Sequence, residues 1–336
     1  MKKRNIIAII LSSIGAVLIA LAMGLLYGND PIRGVNSLDY KISDFFYNNS
    51  GGTVKTIMSI VTYLGEAIVY IAILVILYYV WDKKKAFRAI VALVSTTVVN
   101  ASVKAAFKLP RPDADFAVDL KETSYGLPSG HAQMSTTFWG VLASFVVKWW
   151  MLLVAILLPL IIAFSRLYLL EHWFTDVLMG LGLGMIILAL FLVVLKPIEN
   201  YFENKSITVK ILWSIVVGLV FSTPIVLLQY NNPDPVKGLN QMITNFKYIA
   251  VFTTVCISYA IEGKLINFDN KIEKWWKGVL RVLIAIVVLA GVYVYGMLYD
   301  PPTLTTLKIT LDLVIYALLG PILLLLLPWI MKKLNL

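Results

Sequence analysis

FTDVLMGLGLGMIILALFLVVLK, residues 174–196, is the stretch whose reading decides the fold. No charged side chain falls between Asp176 and Lys196, and such a run, coiled as helix, reaches across the roughly 30 Å hydrocarbon core of a bilayer. Comparable apolar runs lie near residues 5–27, 55–81, 86–108, 129–148, 150–168, 209–229, 247–262, 279–299 and 309–331, with no large polar domain between them. Hydrophobic residues make up 60% of the 336 and charged residues 14%, a balance that a water-exposed surface does not carry. The chain reads as an all-α polytopic membrane protein of about ten transmembrane helices, with the lipid bilayer as its surroundings.

The net charge of +10 does not point to nucleic acid, because the basic residues are not gathered into a soluble stripe. They sit in short connections beside apolar runs, as the orientation rule for membrane proteins requires. With a cytoplasmic N-terminus, the inner segments are 1–4, 82–88, 148–150, 196–210, 263–281 and 332–336, which carry the larger share of the 29 Lys and Arg. The weakest points of this topology are the short turn at 148–150 and the short eighth span. It brings the connections 28–54, 109–128 and 165–173 together on the outer face. Met1-Lys2-Lys3-Arg4 and the small-x-small triplet Ala20-Leu21-Ala22 resemble a secretory signal. The apolar run continues to Tyr27, longer than the roughly 7 to 15 residues of a signal core, so a retained first span is expected. The single cysteine, Cys256, excludes an intramolecular disulfide and a cysteine metal cluster. Tyr and Trp near span ends, as at Tyr78-Tyr79 and Trp149-Trp150, read as interfacial belts.

Three outer segments concentrate groups suited to an anionic, oxygen-rich ligand. In the first, Lys104 and Arg111 are seven residues apart where Pro110 and Pro112 stop a helix. An unbroken helix would hold them ~10 Å apart, so the break lets Arg111 fold back toward Lys104. Alone, the pair equally fits charges snorkelling at a span end. The second, Pro128-Ser129-Gly130-His131, leads directly into a span: Pro128 suits a helix start and the free N–H groups of the first turn attract an anion. Ser129 adds a hydroxyl donor, although a plain capping role reads the same way. The third holds Ser165-Arg166, His172 and Asp176. The last two are four apart and share a face on a helical turn, so the carboxylate can fix the imidazole tautomer and leave its other nitrogen free.

The chain has two histidines, and both fall in these segments on one expected face. The pattern Lys104-x6-Arg111-Pro112, Pro128-Ser129-Gly130-His131 and Ser165-Arg166-x5-His172-x3-Asp176 resembles the tripartite signature of the type 2 phosphatidic acid phosphatase superfamily at all eleven positions. The resemblance covers residues 1–196 and implies a six-helix membrane phosphatase core, leaving 197–336 as about four additional C-terminal helices of unknown role. It further implies that His172 attacks phosphorus to form a phosphohistidine, oriented by Asp176. His131 protonates the leaving group and later helps activate water. Lys104, Arg111, Arg166, Ser129 and the Gly130 backbone hold the non-bridging oxygens. No metal and no other cofactor is expected, because the cations take over the electrostatic task and both histidines are already employed.

The implied substrate is a membrane lipid phosphate: phosphatidic acid, phosphatidylglycerol phosphate, a long-chain-base phosphate or a polyprenyl diphosphate. The implied setting is a prokaryotic plasma membrane with the site on its extracytoplasmic face. The rival readings are a phosphoryltransferase with the same site and a transporter or flippase with an anion site. Polar groups gathered at one face rather than near the midplane disfavour transport. Glu66, about eleven residues into the second span, needs a partner there, by structural pairing, by supporting a site residue or by lining a substrate channel. Asn100, one turn before Lys104, is placed to position that lysine, and Asp312 lies outside the resemblance with no partner evident. The outer connections 229–246 and 299–308 either shape substrate access or belong to an inert extension or oligomer contact.

Overall fold

The computed structural model describes residues 2–28, 32–112, 116, 124–230, 235–299 and 306–336. Among them the chain is all helical, as a backbone surrounded by lipid requires when it must satisfy its own N–H and C=O groups. The helices are α1 (Lys2–Tyr27), α2 (Leu38–Asn49), α3 (Gly52–Tyr63), α4 (Ala67–Ile76), α5 (Lys83–Phe107), α6 (Gly130–Val146), α7 (Trp149–Tyr168) and α8 (Phe174–Glu203). They continue as α9 (Ile207–Tyr230), α10 (Pro235–Ile261), α11 (Trp275–Leu298), α12 (Thr306–Pro321) and α13 (Leu327–Lys333). π-helical turns follow α4, α10 and α12, at Leu77–Trp81, Glu262–Ile266 and Ile322–Leu326.

Each of the ten expected spans is helical, and the protein is a multi-span membrane protein. Among the described residues eight helices can cross a membrane by length and composition, and nine if the pair α3 and α4 with its π turn, bent by 46°, makes one span. Helix α6, at 17 residues, matches the fourth expected run. Three differences from the sequence reading have physical causes. The second span is not continuous: Gly65 and Glu66 bond back to Thr62 and Tyr63 in tight three-residue turns, and a Cβ at Gly65 would lie 2.6 Å from the His131 ring. The eighth span is longer than its apolar run, from Gly238 to Ile266, because polar residues such as Lys247 continue the helix and find partners. The connection 28–54 contains α2, which Ser37 caps by accepting from the Tyr40 N–H at 3.1 Å, with Asp39 in the first turn. Residues 29–31, 113–115 and 117–123, and parts of the connections 229–246 and 299–308 that were expected on the outer face, lie outside the described residues.

The chain falls into two compact units, Met1–Tyr70 with Ser95–Asn200 and Ile71–Val94 with Tyr201–Leu336. In the first, α8 packs backbone to backbone against its neighbours. Gly182 faces Gly15 of α1, where a Cβ on either would meet the other's carbonyl oxygen at 2.7 Å. On α8, a Cβ at Gly184 would lie 2.7 Å from the Gln133 carbonyl oxygen of α6 and 2.8 Å from Thr136 Cβ. Lipid tails are as apolar as leucine, so helices gain by such close approach and by bonds between polar side chains. Buried Gln133 supplies the latter: it donates to the Thr96 carbonyl at 3.0 Å and accepts from Asn100 at 2.9 Å. The second unit has its own ion pairs. Lys83 lies 3.1 Å from buried Glu262 and donates to the Phe268 carbonyl at 2.7 Å, while Arg281 donates to the carbonyls of Tyr79 and Leu336. Asp312 has its partners in Lys247, Lys308 and Tyr295.

Gly184→Ala should force α6 and α8 apart and destabilise the protein by about 1 to 3 kcal/mol, the usual cost of overpacking, read as a lowered unfolding midpoint in detergent. Gly24→Ala, where nothing lies within 4 Å of the added Cβ, should not lower that midpoint.

Candidate active site

Helix α5 ends at Phe107, and Lys108 takes a left-handed conformation (φ 51°) that turns the chain before Pro110. Arg111 and Lys104 then meet at one hydroxyl: Arg111 Nη2 and Lys104 Nζ each donate to Ser124 Oγ at 2.9 Å. The break does what its prolines suggest, and Ser124 is the residue that holds the two cations in place. Arg111 also donates through Nε to the Ser124 carbonyl at 3.0 Å and through Nη1 to the Glu171 carbonyl at 2.8 Å. Asn100 does not bond Lys104. Its amide donates to the Pro128 carbonyl at 3.3 Å and to Gln133, so it secures the second segment instead.

That segment opens α6. Ser129 is the residue before the helix, its N–H donates to the Asp176 carbonyl at 2.9 Å, and its hydroxyl is buried without a hydrogen-bond partner among the described residues. Gly130 begins the helix, so the N–H groups of its first turn lack intrahelical acceptors. His131 Nε2 lies 3.3 Å from Glu66 Oε1, which gives Glu66 the partner its position demands.

The third segment wraps around Arg166. The N–H groups of Glu171 and His172 both reach the Arg166 carbonyl, at 3.0 and 3.3 Å, while its guanidinium donates to Thr62 Oγ1 at 2.7 Å and pairs with the Glu171 carboxylate. His172 Nδ1 lies 3.1 Å from Asp176 Oδ2, and its Nε2 lies 3.2 Å from Arg111 Nη1. Arg111 has only hydrogens to offer, so Nε2 accepts and Nδ1 carries the proton toward the carboxylate. Burial first, then the positive charges of Arg111, Arg166 and Lys104, holds the His172 imidazole well below the ordinary histidine range, so the ring is neutral and its Nε2 lone pair available.

All eight residues singled out for the site thus gather at one set of helix ends: the close of α5, the start of α6, the end of α7 and the start of α8. Sequence spacing missed Arg33, Asp39, Thr62, Ser124 and Trp173. Arg33 pairs with Asp176, Asp39 accepts from the Thr175 N–H and hydroxyl at 2.8 and 2.6 Å, and Trp173 donates to the Pro110 carbonyl at 3.1 Å. Only Asp39 had a local signal, its place after the capping Ser37. Among the described residues no group of three or more His, Cys, Asp or Glu is arranged to hold a metal ion.

A family model described as the PAP2 superfamily matches residues 85–199, and one described as the transmembrane extension of PAP2 superfamily phosphatases matches residues 246–336. The chain is 24% identical over 173 residues to the lipid phosphate phosphatase delta of Arabidopsis thaliana, covering 46% of this chain and 42% of that protein, under half the relative's length. It is 27% identical over 150 residues to phosphatidylglycerophosphatase B of Bacillus subtilis (strain 168), covering 40% of this chain and 71% of that one. Among solved structures it is similar to the transmembrane PAP2-type phosphatidylglycerolphosphate phosphatase from Bacillus subtilis, with a TM-score of 0.46 and 22% identity over 59% of this chain and 98% of that one. The resemblance drawn from the motifs is borne out: the chain carries a PAP2 superfamily domain that contains all three motif segments, and the transmembrane extension of that superfamily follows it.

Proposed function

We propose that this protein is a metal-independent lipid phosphate phosphatase that works through a phosphohistidine on His172. The observation that carries the reading is the buried His172 ring, held at Nδ1 by Asp176 with its Nε2 beside Arg111. Nε2 attacks phosphorus and the N–P bond forms as the P–O bond to the lipid breaks, with His131 giving its proton to the departing oxygen. Water then attacks phosphorus, His131 takes a proton from it, and the N–P bond breaks to release inorganic phosphate. Lys104, Arg111 and Arg166, the unpartnered Ser129 hydroxyl and the Gly130 backbone supply donors for the non-bridging oxygens, where charge must be balanced in the transition state. Asp176 offsets the positive charge that His172 acquires on phosphorylation.

The names of the curated relatives and the membrane-spanning helices around the site support a lipid substrate, among phosphatidic acid, phosphatidylglycerol phosphate, long-chain-base phosphates and polyprenyl diphosphates. In this reading residues 1–196 carry the chemistry and 197–336 are an added helical region. The bias of Lys and Arg toward the opposite set of connections supports a site on the extracytoplasmic face, and the short connections fit a prokaryotic plasma membrane.

Purified protein should release phosphate from lipid phosphates with EDTA present, and His172→Ala should abolish the release. If no lipid phosphate or diphosphate yields phosphate in an assay validated with a known phosphatase, the hydrolase reading fails and phosphoryl transfer becomes the next test. Ser124→Ala removes the shared acceptor of Lys104 and Arg111, and KM should rise about tenfold, the equivalent of one hydrogen bond to a charged group. Because its proton affinity is depressed, the His172 ring should stay neutral as pH falls through 6.5 and protonate only below. Nitrogen-15 NMR on a His131→Asn background, where His172 is the sole histidine, reads this directly.

A further inference from the structure

Arg33 lies outside the matched family domain, in the connection between α1 and α2, yet its side chain ends in the middle of the site. It adopts a left-handed backbone conformation (φ 60°) and is buried, at 7% exposure. Its Nη2 donates to Asp176 Oδ1, the carboxylate oxygen that His172 does not use, and its Nη1 donates to the Pro110 carbonyl beside Arg111. The guanidinium stacks 5.4 Å from the centre of the Trp173 ring, and its Nε lies 3.6 Å from Asp39 Oδ2. Asp39 is itself tied to Thr175, the neighbour of Asp176.

Asp176 has no exposure to solvent. A carboxylate so placed keeps its charge and aim only if every oxygen has a donor and the charge a partner. His172 and the Trp173 N–H, each at 3.1 Å, serve Oδ2, and Arg33 serves Oδ1 while supplying the counter-charge. The planar fork of an arginine does this and reaches Pro110 at once, which the single ammonium of a lysine cannot do with the same geometry.

We propose that Arg33 is a positioning residue for the nucleophile: it fixes the Asp176 carboxylate against His172 Nδ1 and ties that pair to the segment bearing Arg111. The proposal rests on the phosphatase reading only for its kinetic consequence. Its structural consequence is that His172 keeps a single tautomer because Arg33 keeps Asp176 in place.

The test pairs kinetics with spectroscopy. Arg33→Gln should lower kcat about 10- to 100-fold, the usual loss when a group orienting a reactive histidine is removed, while KM changes less than about twofold because the phosphate-binding cations remain. On the His131→Asn background, nitrogen-15 NMR should show His172 as the Nδ1–H tautomer with Arg33 present and as a mixture of tautomers in Arg33→Gln. Should Arg33→Gln fail to fold, Arg33→Lys takes its place, with the tautomer retained and kcat reduced. Wild-type kcat and an unchanged tautomer in Arg33→Gln, or wild-type kcat in Arg33→Lys, overturn the proposal. If the wild type releases no phosphate at all, it is the phosphatase reading that has failed, and the tautomer of His172 in Arg33→Gln alone decides the role of Arg33.

Discussion

The buried carboxylate of Asp176 is the point on which the site depends. One oxygen receives His172 and the Trp173 N–H, the other receives Arg33, and the backbone carbonyl of the same residue accepts the Ser129 N–H. Arg33 reaches on to Pro110, so Asp176 and Arg33 together join all three motif segments. Removing a charge of this kind from water is costly, and the cost is met only when its partners are complete. Burial thereby favours the one arrangement in which His172, the cations and the helix start at Gly130 converge.

The helices can bring those segments together because of how they pack. Apolar surface drives no association in lipid, so α8 approaches α1 and α6 through glycines, and α5 is fastened to α6 by Gln133, Asn100 and Thr96. These contacts lie within a few turns of the helix ends that carry His172, His131 and Lys104. The fixed core below serves precision above: Asn100, which secures the Pro128 carbonyl, does so one turn before Lys104 on the same helix.

The cations of the site are held by uncharged oxygens, and Arg166 by the Glu171 carboxylate as well. Ser124 takes Lys104 and Arg111, and Thr62 takes Arg166. Hydroxyl and carbonyl acceptors fix a side chain without cancelling its charge, which leaves the positive field intact for an anionic ligand. Burial, with the same field, depresses the proton affinity of His172.

Local pattern determined much of this protein by itself. Runs without charge determined the helices, since a segment in lipid has no other way to satisfy its backbone, and the motif spacings around Lys104, Ser129 and His172 marked the groups that the structure gathers. A spacing of four placed Asp176 beside His172 because a helical turn does so whatever surrounds it. Tertiary structure alone decided the partners that lie far along the chain: Arg33 for Asp176, Asp39 for Thr175, Thr62 for Arg166 and Glu66 for His131. It also decided the break at Gly65, where the nearby His131 ring leaves no room for a Cβ, and the length of α10, whose polar turns persist because Lys247 finds Asp312. Those pairings depend on which helix ends become neighbours, and periodicity within one helix carries no information about its neighbours.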